Sequence, residues 1–152
     1  MLAKKIKYVD FNNVERNETF YFNISESEAT ELELEESGGL ISLIMQMIEG
    51  QNIPYLFKLF KKLIGVAVGE KSNDGKYLMK SPEITAKFFG TNAYNVLFME
   101  IISSPDAAAN FVNSIVPAKV AGEATKYDIK DGEIINKETG EVVNNFGTPL
   151  NN

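Results

Sequence analysis

Apolar residues follow two rhythms along this chain. Residues 5–11, KIKYVDF, and 18–24, ETFYFNI, are dense in aromatic and β-branched residues, with the turn-rich stretch NNVERN between them. That pattern predicts an antiparallel hairpin, with Ile6 and Tyr8 on one face and Val9 and Phe11 on the other. A lone hairpin is marginal in water, so it must rest on helices or a second hairpin.

Beyond Gly38-Gly39 the rhythm becomes helical. Leu40, Leu43, Ile44, Met47 and Ile48 recur three and four apart, predicting an amphipathic helix stopped by Gly50. A second helix is expected from Asn52 to Val68, with Pro54 tolerated in its first turn and Gly69 ending it. Its polar stripe is narrow (Lys58, Lys61, Lys62 and Gly65) and nearly everything else is apolar, from Tyr55 and Leu56 through Leu63 to Val66. A helix greasy around most of its circumference belongs in the middle of a packed assembly. Asn73-Asp74-Gly75 then makes a tight turn, suited to a small hairpin within EKSNDGKYLMK. Ser81-Pro82-Glu83 opens a short helix through Phe89 and Gly90, with serine as cap and proline at the first position. TNAYNVLFMEIIS follows as a helix burying Ala93, Tyr94, Leu97, Phe98, Ile101 and Ile102. Ser104-Pro105-Asp106 caps a last helix with Ala108, Phe111, Val112 and Ile115 as its stripe, ending at Pro117.

The segment NISESEATELELEES, residues 23–37, carries six glutamates and no cation. Thr30 to Glu35 alternates like a strand, yet Ser25 and Glu28 have capping-box spacing, and Ile24 with Ala29 matches a hydrophobic staple. Glutamate is a poor strand former, so a short helix ending near Glu35 is preferred. Glu26 and Glu28 lie in its first turn, where the helix dipole favours anions. It reads as a solvent-facing edge.

From Ala118 the chain turns polar. Ile129, Ile134, Ile135, Val142 and Val143, spaced by Asp131-Gly132 and Thr139-Gly140, suit a short meander or a disordered tail. The expected fold is mainly α within an α+β class: an N-terminal hairpin, five or six short amphipathic helices, and this tail. The expected division is a helical domain over residues 1–117 and a polar tail or small β extension over 118–152.

Composition narrows the chemistry. The 152 residues suffice for one domain with a real core. A net charge of −6 argues against holding a polyanion, so no nucleic-acid partner is expected. Cysteine and histidine are absent, which removes thiol nucleophiles, the histidine-based triads and every Cys/His zinc site. Glu28, Glu31 and Glu35 share a helix face, but exposed carboxylates at that spacing are commonplace and no supporting ligand stands beside them. The segment from Glu70 echoes a calcium loop but places Ser81 where a bidentate glutamate is required. The GEKSNDGK stretch lacks the phosphate-loop spacing. No metal, cofactor or catalytic residue is assigned. The N-terminus shows no signal-peptide pattern, and the lysine-interrupted run IPYLFKLFKKLIGVAVG is too short to span a bilayer, so no membrane partner is expected.

Apolar surface is what remains informative. The aromatic residues are numerous for a handful of short helices, and aromatic side chains are favoured where proteins meet. Either these rings fill one core, or some of them form a groove for a partner helix or an oligomer interface; on the second reading Phe57, Phe60, Ile64, Val68, Phe88 and Phe89 are the candidate partner-binding residues.

Four pieces in order, YVDFNNVERNETFYFNISESEATELELE, SGGL with its apolar helix, GEKSNDGKYLMKS, and AYNVLFMEIISSPDAAANFVNSIVP, resemble the tail assembly chaperones of long-tailed, siphovirus-type bacteriophages. The resemblance covers roughly Lys5 to Pro117. It implies a mostly helical, non-enzymatic protein, active in the cytoplasm of the infected host and left out of the mature virion. It further implies binding to the tape measure protein, a very long hydrophobic helical chain, and help in recruiting tail tube subunits. A homo-oligomer is expected. The alternatives are a small regulatory or host-modifying phage protein that binds one folded partner, and an enzyme subunit without its own active site.

Overall fold

The computed structural model describes residues 1–35, 53–118, 127–130, 133–136, 138–140 and 142–143. The helix expected over residues 40–49 lies outside them.

The hairpin forms as β1 (Leu2–Val9) and β2 (Glu15–Phe22), paired antiparallel from Leu2 opposite Phe22 to Val9 opposite Glu15. Asp10 organises the turn. Its backbone N–H donates to the Val14 carbonyl, while its carboxylate accepts the N–H groups of Asn12 and Val14 and Nε of Arg16. The Val14 N–H and then the Arg16 side chain hold the Asp10 carboxyl below its ordinary range. Asn13 takes the left-handed conformation the turn needs, at φ 61°. Ile6 is buried and Tyr8 packs against the core, as alternation predicts, and Val9 is exposed. Phe11 belongs to neither strand face. It sits in the turn and is 79% exposed.

The acidic segment is helical, α1 (Glu26–Glu35). The capping box is complete: the Ser25 Oγ accepts the Glu28 N–H at 3.2 Å, and the Ser25 N–H donates to the Glu28 Oε1 at 3.0 Å. Ile24, Ala29 and Leu32 are buried, which gives the helix its thin apolar stripe. The side chains of Glu33 and Glu35 are outside the described residues.

Helix α2 (Ile53–Ala67) ends one residue earlier than predicted. Val68 instead begins β3 (Val68–Lys71), pairing with Phe22 while Gly69 pairs with Tyr21. The chain then turns at Gly75 (φ 74°) into β4 (Leu78–Met79). The small hairpin expected here therefore extends the N-terminal one into a four-stranded antiparallel sheet, ordered β1-β2-β3-β4.

Three further helices follow, each with a hydroxyl cap. Ser81 caps α3 (Pro82–Phe89), Thr91 caps α4 (Asn92–Ile101), and Ser104 caps α5 (Pro105–Ile115). Each cap oxygen accepts the backbone N–H three residues on, satisfying a donor that the first turn leaves open. Five helices are thus present among the described residues. Helix α4 runs beside β1: Asn92 donates to the Val9 carbonyl at 2.8 Å, and Lys4 pairs with Glu100 at 2.8 Å. The core lies between sheet and helices, where Phe22 meets Phe88 and Phe111 edge-on at 5.5 and 5.7 Å. The stripe of α5 is buried as predicted, at Ala108, Phe111, Val112 and Ile115. In the tail, β5 (Tyr127–Lys130), β6 (Glu133–Asn136) and β7 (Val142–Val143) pair antiparallel as a three-stranded meander.

Candidate partner-binding surface

The six apolar residues singled out in the sequence separate into two groups. Phe60, Ile64, Val68 and Phe88 are buried in this chain's own core. Ile64 lies on the packed side of α2 with Leu59, Phe60, Leu63 and Ala67. Val68 has left the helix for β3, where strand pairing holds it at 3% exposure. None of the four is more than 4% exposed in this chain. Phe57 is 37% exposed and Phe89 is half-buried.

Both accessible rings belong to one strip. Phe89 lies edge-on to Tyr94 at 4.8 Å, Tyr94 is 5.9 Å from Phe98, and Phe98 meets Phe57 edge-on at 5.5 Å. Phe89, Tyr94 and Phe98 are each partly exposed, so the rings line the outside of the fold. The strip runs beside a row on α2 made by Phe57, Lys61 and Gly65, each four residues from the last and so on one helix face. Lys61 reaches over the Phe89 ring, 5.7 Å from its centroid. A Cβ added at Gly65 would lie 3.3 Å from Phe89, so the small residue lets α3 approach α2 closely. Thr85 fastens that approach by donating to the Gly65 carbonyl at 3.1 Å. Gly65, read in the sequence as part of a solvated stripe, is a packing position.

At the Phe89 end the strip opens into a groove between α1, α2 and α3, walled by Leu32, Val66, Pro82, Ala86 and Phe89. Its mouth carries a contact that no sequence spacing announced. The Lys80 Nζ reaches both oxygens of Glu28, at 2.6 and 2.9 Å, and also donates to the Asn23 carbonyl. One glutamate of the acidic helix is thereby half-buried and paired, whereas Glu26 and Glu31 are exposed. Burial pushes the Glu28 carboxyl up, but Lys80 and the two Ser25 bonds outweigh it, and the net shift is downward. A depressed carboxylate stabilises the fold above its unfolded pKa, and that contribution is lost as pH falls through the folded value. Lys80→Met should therefore cost about 1 kcal/mol at neutral pH, a modest figure because the pair is partly solvated. Urea unfolding at pH 7 and pH 3 checks this. The gap between variant and wild type should shrink at pH 3, and a gap unchanged by acid would show that the ion pair is not its cause.

Among the described residues, no three acidic side chains converge as a metal ion would require, and no helix is long and apolar enough to cross a membrane. Among the described residues, the surface offers a row of rings and a groove with apolar walls and Glu28, Glu31 and Lys80 among its lining. No curated protein and no solved structure matches the chain. A family model for phage tail assembly chaperones matches residues 1–148, nearly its whole length. That match covers far more than half of the chain, so the chain belongs to the phage tail assembly chaperones, a family whose description implies an assembly role.

Proposed function

We propose that this chaperone binds the hydrophobic, helical tape measure protein, keeps it soluble in the cytoplasm of the infected host, and helps bring tail tube subunits to it. It acts as a homo-oligomer, without a cofactor, and stays out of the finished virion. The observation that carries this reading is the partly exposed aromatic strip from Phe89 to Phe57, in a chain of the tail assembly chaperone family. Aromatic rings held by one another lose little side-chain entropy on meeting a partner, and an apolar helix is a partner they suit.

Co-expression with the tape measure protein of the same phage tests it. The expected result is a tape measure that moves from the insoluble to the soluble fraction and co-purifies with several copies of the chaperone. A tape measure that stays insoluble at every expression ratio, while the chaperone pairs one-to-one with a compact folded protein, would make this chain a regulator instead.

A further inference from the structure

Among the described residues, the charge that stands free beside the aromatic strip is of a single sign. Lys58 and Lys61 stand exposed on the outer side of α2, and among the described residues neither forms an ion pair. On the α4 side, the exposed neighbours of the strip are Asn95 and Met99, which carry no charge. Glu100, one residue beyond Met99, is held by Lys4 of β1. The row from Phe57 to Gly65 extends about 12 Å along α2, enough to seat about two turns of another helix.

We infer that the strip takes one amphipathic helix of the client, and that Lys58 and Lys61 select helices whose apolar stripe is bordered on one side by aspartate or glutamate. The inference rests on the reading that this chain holds a helical client. An apolar helix laid on the rings strips water from the two ammonium groups. A carboxylate on the helix offsets that cost, and a lysine on the helix adds like-charge repulsion to it. The chain as a whole carries −6, so an acidic-bordered helix is disfavoured over most of the surface and favoured here. Net charge and local charge thus oppose each other, which places the helix as well as choosing it.

Two synthetic helical peptides test the selection. Both carry the same leucine stripe, and one has glutamate and the other lysine along one border. Fluorescence anisotropy measures their binding to the full chain, to Lys58→Glu/Lys61→Glu, and to Lys58→Gln/Lys61→Gln, with circular dichroism verifying the fold of each variant. The wild type should prefer the glutamate peptide by about fivefold at low salt, the preference should vanish in the glutamine variant, and it should reverse in the glutamate variant. Equal affinity for the two peptides in the wild type, or a preference that survives charge reversal, overturns the inference and leaves client binding standing. If neither peptide binds while the tape measure protein is still kept soluble, the strip is not the client site, and the inference falls alone. If the tape measure protein is not kept soluble either, the proposed function falls and takes the inference with it.

Discussion

Leu63→Asp is expected to leave the chain unfolded at 25 °C, while Phe57→Asp leaves it folded and impairs client solubilisation. Both residues are on α2, six positions apart, and both are read as apolar positions of one greasy helix. Leu63 has no exposed surface and sits among Leu59, Phe60, Ile64 and Ala67. An aspartate there is a buried charge without a partner, costing several kcal/mol, and the lost leucine packing adds about 2–5 kcal/mol. Together these approach the whole stability of an ordinary domain, about 5–15 kcal/mol. Phe57 keeps 37% of its surface in water and meets Phe98 on one side, so a carboxylate at that position stays solvated. Its replacement should cost about 1 kcal/mol, the worth of an exposed edge-to-face pair. Far-UV circular dichroism and urea unfolding separate the two variants, and co-expression with the tape measure protein reads the function. If Phe57→Asp loses its helical signal as Leu63→Asp does, Phe57 is ordinary core and the strip is not an interface.

Gly69→Val should be the most damaging change in the sheet, costing about 2–3 kcal/mol or more. Gly69 pairs with Tyr21 of β2, and the β4 strand crowds it from the other side. A Cβ at this position would stand 2.6 Å from the Leu78 Cγ and 2.9 Å from the Met79 carbonyl oxygen. The leucine can turn away, but the carbonyl is backbone and moves only if β4 leaves the sheet. Gly75→Asn is the matched control. Gly75 has φ 74° but open space around it, and asparagine tolerates the left-handed region. Thermal unfolding should show a large drop for Gly69→Val and a small one for Gly75→Asn. A Gly69→Val protein as stable as wild type would mean that β4 does not pack over Gly69.

Features set by short-range chemistry are legible in the chain. A capping box closes within three residues, so Ser25 and Glu28 announced the start of α1, while a cap serine followed by proline, at Ser81 and at Ser104, announced α3 and α5. Alternation marked the inward face of β1 at Ile6, and helical spacing marked the buried stripe of α5. The pieces that resemble tail assembly chaperones lie in contiguous stretches, and the family match spans them. Features that depend on residues distant in the chain emerge only from the packed fold. Gly69 looked like the stop of a helix and is a strand position under β4, because Phe22 and Tyr21 recruit Val68 and Gly69 into the sheet. Glu28 looked like one more solvated carboxylate and is paired with Lys80, fifty-two residues away. Among the apolar residues of α2, helical spacing set Phe57 apart from the stripe of Phe60 and Leu63 but grouped it with Ile64, which is buried, since hydrophobicity records which side chains leave water and not what covers them. One side of that helix is buried in the core and α3 closes over Gly65, and this packing leaves Phe57 at the surface beside its two lysines.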